Sequence, residues 1–180
     1  EFRAMDMGNI MHKVLESLIK EVNKEKLSLA ELSEEERDAL ADRLVDEISA
    51  DYGNTILKSS ARNEYMIQRT KRMVRRTVWA IQKQLKSGEF EPEGVEVVFQ
   101  GGRIDRVDTM ETDDGKLYVR VIDYKTGNTS FDLVSLYHGL QLQLMIYMDG
   151  ALTVEQNKHK DKDVIPAGVF YYNIKDPMIQ

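Results

Sequence analysis

The 180-residue sequence contains no cysteine, which excludes disulfides and any thiolate-held metal within it. It also lacks an apolar run long enough to span a bilayer, and nothing at its start reads as a signal peptide. Internal repeats and low-complexity tracts are missing too. Positive charge is in short supply: 25 Lys and Arg against 31 Asp and Glu leave a formal net charge of −6. That argues against nucleic-acid binding by bulk charge, though not by a local patch. The remainder, 42% hydrophobic and 31% charged, suits one soluble globular domain with a real core. The sequence opens on Glu-Phe-Arg and stops after "YYNIKDPMIQ", so we expect a piece of a larger polypeptide.

Hydrophobic periodicity predicts three helices followed by a sheet. In "MDMGNIMHKVLESLIKEV", Gly8, His12, Leu15 and Ile19 share a face beside Met11, Leu18 and Val22. "LSEEERDALADRLVDEIS" carries a capping box, Ser33 with Glu36, ahead of a stripe of Leu40, Leu44 and Ile48. A third helix runs from about Ser60 to Lys86 and ends at the loop "SGEFEPEG", punctuated by Gly88, Pro92 and Gly94. Strands are expected at "VEVVF", from Arg103 to Met110 and from Leu117 to Tyr124, the last two joined by the tight-turn sequence "TDDG". A helix from Leu133 to about Leu152 leads through the charged loop "QNKHKDKD" to a final strand, "AGVFYYNI". Strand, helix and strand there read as a parallel βαβ unit. The expected class is α/β: a single domain, mainly helical over 1–87, with a sheet core and crossover helix over 88–180.

Acids in strands are unusual, yet "GGRIDRVDTMETDDGKLYVRVIDYKTG" places Asp105 between Ile104 and Val107 and ends an apolar run at Asp123. With the turn centred on Asp113-Asp114 or Asp114-Gly115, cross-strand partners have residue numbers that add to about 227–229. Asp105 then falls opposite residues 122–124, and side-chain alternation puts Asp123 and Lys125 on one face. Opposed like charges destabilise a sheet, and a divalent cation between them reverses the sign. Hard oxygen donors suit Mg²⁺ or Mn²⁺, and a lysine beside them can position a water or counter charge developing on phosphorus. Two readings stand on these residues: a metal site for phosphodiester hydrolysis, or an acid–lysine pair at the sheet rim. Asp114-Gly115-Lys116 repeats the acid-x-Lys spacing but is turn chemistry.

The third helix concentrates the basic residues. Arg62, Arg69, Arg72, Arg76 and Lys83 recur at spacings of seven, three, four and seven, one stripe in an acidic protein. It serves either phosphate binding or pairing with the acidic helix before it. Met66, Met73, Trp79 and Ile81 are read as packing residues. His12 lies on an apolar face, as a hydrogen-bonded core histidine or as a ligand. His138, at a helix start, and His159, in a charged loop, are read as structural.

Together "GRIDRVD", "VIDYKTG" and "QLMIY", preceded by "GNIMHKVLE", resemble the RecB-type nuclease branch of the PD-(D/E)xK superfamily. The likeness is greatest to the nuclease domain of the B subunit of bacterial AddAB (RexAB) helicase–nucleases, and it covers nearly the whole chain. The resemblance implies a restriction-endonuclease-like core that cuts DNA with Mg²⁺ or Mn²⁺, with exonuclease activity in double-strand break repair and recombination. It implies a bacterial cytoplasmic setting, DNA and a helicase–nuclease A subunit as partners, and no membrane. By the same likeness His12 matches the upstream metal-binding histidine, Asp105 and Asp123 the metal carboxylates, and Lys125 the catalytic lysine. The Tyr124 carbonyl is expected as a further metal ligand. Gln143 and Tyr147 match the family's Gln-x-x-x-Tyr pair, which supports the site and contacts DNA. From the spacing of the basic stripe, Arg69, Arg72 and Arg76 are the expected DNA-binding residues. Glu96 corresponds to an additional family acid, although the link from "VEVVF" to "GGRID" is shorter than the family's; otherwise it is the solvent-facing member of an alternating strand. Family members also carry a cysteine-held 4Fe-4S cluster, expected in the full-length parent and not in this cysteine-free sequence. The rivals are a non-cutting DNA-binding or scaffold module of the same fold and a Cas4-like nuclease of CRISPR adaptation. Retention of His12, Asp105, Asp123 and Lys125 together argues against the first.

Overall fold

The computed structural model describes residues 4–52, 61–126 and 133–174. Helices α1 (Ala4–Lys24), α2 (Glu34–Tyr52) and α3 (Ala61–Lys86) come first, then strands β1 (Glu91–Phe99), β2 (Gly102–Glu111) and β3 (Lys116–Thr126), helix α4 (Leu133–Lys158) and strand β4 (Asp163–Ile174). The chain divides into two compact units, Glu1–Gly88 with Ile174–Gln180, and Glu89–Asn173.

In the helical unit, the faces read from periodicity are the buried ones. Ile10, Met11, Val14, Leu15 and Leu18 of α1 are buried, as are Val45 of α2 and Val74 and Ile81 of α3. The capping box forms as expected: the Ser33 N–H donates to Glu36 Oε2 at 2.9 Å and the Glu36 N–H to Ser33 Oγ at 3.1 Å. Gln82 is buried on α3 and spends its whole amide, accepting from Arg37 at 3.0 Å and donating to the carbonyls of Leu29 and Leu32. This amide satisfies carbonyls of the short turn between α1 and α2 that water would otherwise have to reach.

In the sheet unit, strand order is β1-β2-β3-β4. β1, β2 and β3 form an antiparallel meander, and α4 carries the chain to β4 beside β3, completing a mixed sheet. The β2–β3 turn closes with Gly115 N–H on the Thr112 carbonyl at 3.1 Å and Thr112 N–H on the Lys116 carbonyl at 3.0 Å. Gly115 adopts φ +81° there, a left-handed conformation that glycine takes without a Cβ penalty. Ile104, Val107, Val119, Val121 and Ala151 make the core between sheet and α4. Close packing there needs a missing side chain: a Cβ on Gly150 of α4 would sit 2.3 Å from the Phe99 ring.

Three boundaries differ from the sequence expectation. β1 begins at Glu91 and includes Pro92 and Gly94, with a register shift between them. β4 begins at Asp163 and includes Pro166. Both strands are sheet edges, where a proline's missing N–H costs no ladder bond. α4 runs six residues beyond Leu152 to Lys158, because its last turns still bury Ala151 and Glu155 and a C-terminal lysine suits the helix dipole.

Candidate active site

The hairpin register aligns the acids. From Arg106↔Ile122 to Glu111↔Leu117 the partners' residue numbers add to 228, which continues to Asp105 opposite Asp123. On the other side, Val95↔Arg106 and Val97↔Ile104 bracket Glu96 opposite Asp105. Glu96, Asp105 and Asp123 therefore form one row across three strands, and a carboxylate oxygen of Glu96 lies within 4.8 Å of one of Asp105. Glu96 holds φ +49°, an uncommon backbone conformation for a residue with a side chain, fixed by the pairs on either side.

Each acid in the row has a positive or N–H partner, so mutual repulsion is opposed but not removed. Arg103 Nε lies 2.6 Å from Glu96 Oε2. The Tyr124 backbone N–H donates to Asp105 Oδ2 at 2.8 Å. Lys125 Nζ lies 2.6 Å from Asp123 Oδ2, with the lysine 37% and the aspartate 9% exposed. Burial, reinforced by the Asp105 carboxyl beside it, raises the Asp123 carboxyl to about 6 even though Lys125 pulls it down.

α4 and β4 close the site from the side. Gln143 Nε2 donates to Tyr147 Oη at 3.0 Å, and the Tyr171 hydroxyl donates to Gln143 Oε1 at 3.3 Å. Tyr171 in turn places its ring 5.4 Å from Lys125 Nζ, and burial, with Asp123 and Tyr147 nearby, pushes its hydroxyl up to about 12. Tyr147 meets Phe99 edge to face at 5.8 Å. The Gln143–Tyr147 pair is therefore linked through Tyr171 to the lysine.

The sheet unit brings together Glu96, Asp105, Asp123, Tyr124, Lys125, Gln143 and Tyr147. His12, half-buried on α1, and Arg69, Arg72 and Arg76 on α3 belong to the helical unit. Within that unit Lys71 pairs with Asp46 at 2.8 Å and Arg75 with Asp42; neither is a member of the stripe. Trp79 is half-buried rather than a core residue, its ring covered by Arg76 at 4.0 Å and Lys83 at 4.5 Å. Lys116 pairs with Asp114 at 3.1 Å in the hairpin turn, as turn chemistry predicts. The backbone of His138 lies in α4, and its side chain is outside the described residues. Sequence reasoning missed Arg103 and Tyr171. Arg103 had a signal, since it stands one residue before Ile104 in "GGRID" and faces the β1 edge; Tyr171 had none short of knowing that β4 lies beside β3.

A row of three carboxylates offers hard oxygen donors, the set that Mg²⁺ and Mn²⁺ take. The donor chemistry fits such an ion, and Glu96, Asp105 and Asp123 are the residues of the row that could hold it.

Comparison with known proteins agrees with this chemistry. Residues 1–180 match the model of the PD-(D/E)XK nuclease superfamily. The chain is also similar to proteins named as the B subunit of an ATP-dependent helicase/deoxyribonuclease. That of Lachnoclostridium phytofermentans is 44% identical over 182 residues, covering 97% of this chain and 16% of the relative. The corresponding protein of Alkaliphilus metalliredigens is 35% identical over 195 residues, covering 97% and 17%. That of Caldanaerobacter subterraneus subsp. tengcongensis is 36% identical over 199 residues, covering 99% and 17%. The chain thus spans about a sixth of the length of the curated relatives it matches.

Proposed function

The chain belongs to the PD-(D/E)XK nuclease superfamily, and we propose that it hydrolyses DNA phosphodiester bonds with a divalent cation, Mg²⁺ or Mn²⁺, held by Asp105 and Asp123. The observation that carries this is the row Glu96–Asp105–Asp123 with Lys125 on the same face. We assign Glu96 as the row's third acid, the Tyr124 carbonyl as a further ligand, and His12 as the ligand contributed by α1, on the strength of the family motif.

A cation held by these residues would supply charge neutralisation at a phosphate oxygen and a more acidic water. Asp105, anchored by the Tyr124 N–H, and Asp123, anchored by Lys125, hold their carboxylates in fixed positions for it. Lys125, beside Asp123, is placed to orient the attacking water and to counter charge at phosphorus. Water attacks phosphorus and the phosphorus–oxygen bond to the leaving strand breaks, so no covalent enzyme–DNA species forms. Tyr171, neutral and joined to Gln143, packs against the lysine and limits its wandering.

Crystals soaked in millimolar Mn²⁺ should show one anomalous peak beside Asp105 and Asp123 that Asp123→Ala abolishes. A peak in contact with His12 would make that histidine a ligand. Ordered carboxylates with no peak would instead support a non-cutting module of the same fold.

We further propose that Arg69, Arg72 and Arg76 on α3 contact DNA phosphates, because spacings of three and four place them in one basic stripe of an otherwise acidic chain. Replacing each of the three by Ala should lower the slope of log affinity against log salt by about one unit per charge removed. An unchanged slope in the triple variant would return the stripe to a solvated face. In its parent we propose that the domain serves a bacterial cytoplasmic helicase–nuclease with an A-subunit partner, acting exonucleolytically in double-strand break repair. The support is the name its relatives carry. An iron–sulfur cluster of that parent would draw its cysteines from outside these 180 residues, which hold none.

A further inference from the structure

Where β1 begins and α4 ends, three side chains outside the proposed hydrolytic site converge. Glu155 and His159 stand one helical turn apart, the His159 N–H donating to the Glu155 carbonyl at 2.9 Å. Glu93 comes from the register shift between Pro92 and Gly94. His159 Nε2 lies 2.9 Å from Glu93 Oε1 and 3.5 Å from Glu155 Oε2. One donor atom from each of the three lies within 4.8 Å of the other two. His159 is thus more than a member of a charged loop.

Glu155 is the informative residue. It is 0% exposed, and its Oε2, aimed into the cluster, has no hydrogen-bond donor; Glu93 Oε2 is buried without one as well. Lys158 Nζ stands 3.5 Å from the other oxygen, Oε1, and is itself 46% exposed. Burial, with the Glu93 carboxylate next to it, pushes the Glu155 carboxyl up to about 7. Glu93 also takes a hydrogen bond from the Thr109 side chain, yet one buried oxygen of each acid is left without a donor.

We propose that Glu93, Glu155 and His159 form a second divalent-cation site, selective for Zn²⁺ over Mg²⁺, which clamps the start of β1 to the end of α4. One imidazole and two carboxylates make a three-ligand set of the kind zinc takes, whereas Mg²⁺ prefers oxygens in octahedral array. A tetrahedral ion with ligands at about 2.0–2.2 Å spaces its donors roughly 3.3–3.6 Å apart, close to the separations already present. Ligands at i and i+4 project from one helix face, and the side chains of Glu93 and His159, 27% and 24% exposed, leave an entry path and a position for water. The turn after the helix is pinned by Gln156 Nε2 on the carbonyls of His159 and Lys162. The site stands whether or not the first one cuts DNA.

The test is zinc titration of the chain carrying His12→Ala, Glu96→Gln, Asp105→Asn and Asp123→Asn, so that the hydrolytic row cannot answer for the result. Calorimetry should find one Zn²⁺ per chain, and the melting temperature should rise by about 5–10 °C at a hundredfold excess over Kd. Mg²⁺ at the same free concentration should give neither. His159→Ala and Glu93→Gln, both at partly exposed positions, should each weaken zinc binding at least about tenfold while the zinc-free chain still melts cooperatively. Absence of binding, binding that survives both substitutions, or equal binding of Mg²⁺ would overturn the proposal. If the chain takes no zinc and Glu155→Gln alone raises the melting temperature, the cluster shares a proton, not a metal.

Discussion

Asp123→Asn is expected to lower DNA hydrolysis by about a thousandfold while leaving the protein folded and, above pH 6, more stable than before. The rate loss follows from removing a carboxylate ligand: a metal's charge stabilisation is worth several kcal/mol, and each 1.36 kcal/mol is tenfold. The stability gain follows from the raised carboxyl, from 3.8 to about 6, caused first by burial and then by Asp105. Between those values the folded chain keeps a proton that the unfolded chain has lost, so stability falls as pH rises from about 4 to about 6 and stays lower above. Two pK units correspond to at most about 3 kcal/mol. Asparagine has no proton to lose, and the slope over that window should flatten. Saturating Mg²⁺ should recover stability at pH 8 in the wild type and not in the variant. Denaturation curves from pH 4 to 8, with and without Mg²⁺, and a nuclease assay measure all three effects. A variant that cuts normally would remove Asp123 from the chemistry; one with an unchanged pH slope would mean that its carboxyl is not perturbed by burial.

The second large effect belongs to a charge network in the sheet. Arg106 and Asp108 are both 0% exposed, with Arg106 Nε 2.8 Å from Asp108 Oδ1. Arg120 Nε donates to Asp108 Oδ2 at 2.8 Å, and Arg106 also donates to the Tyr124 hydroxyl at 2.9 Å. Arg120 lies against the Phe90 ring at 4.4 Å. One carboxylate therefore serves two guanidiniums that cannot lose their charge. Asp108→Ala should cost about 3–5 kcal/mol, the toll of leaving buried charge unpaired. A mutant losing less than about 1 kcal/mol in urea would contradict the burial of this network. The damage should reach the active row as well, because Arg106 fixes the Tyr124 side chain and the Tyr124 N–H fixes Asp105. Mn²⁺ affinity should fall along with stability, whereas Arg106→Met and Arg120→Met combined with Asp108→Leu, which removes all three charges, should be milder than Asp108→Ala.

Features whose cause lies within a few residues were legible in the sequence. The faces of α1 and α3 follow from a 3.6-residue period, and the Ser33–Glu36 box from a spacing of three. The β2–β3 register follows from a short turn that leaves few ways to close, which is why Asp105 could be set against Asp123 from the sequence. Strand alternation then put Lys125 on the face of Asp123. Pattern also placed the last strand after its crossover helix, but missed the prolines in both edge strands, since an edge is defined only by the absence of a neighbour.

The tertiary structure decided what depends on chain segments far apart. Glu96 joins the row because β1 pairs with β2 past an irregularity at Pro92 and Gly94, and a one-residue change in that pairing would turn its side chain to the other face. The cluster of Glu93, Glu155 and His159 joins residues up to 66 positions apart, and its meaning comes from burial, which composition does not encode. Asp108 reads in sequence as another strand acid; only packing on every side turns it into the shared counter-ion of two arginines. Spacing specifies which side chains can share a face, but desolvation sets what their charges cost, and desolvation exists only once the chain has folded.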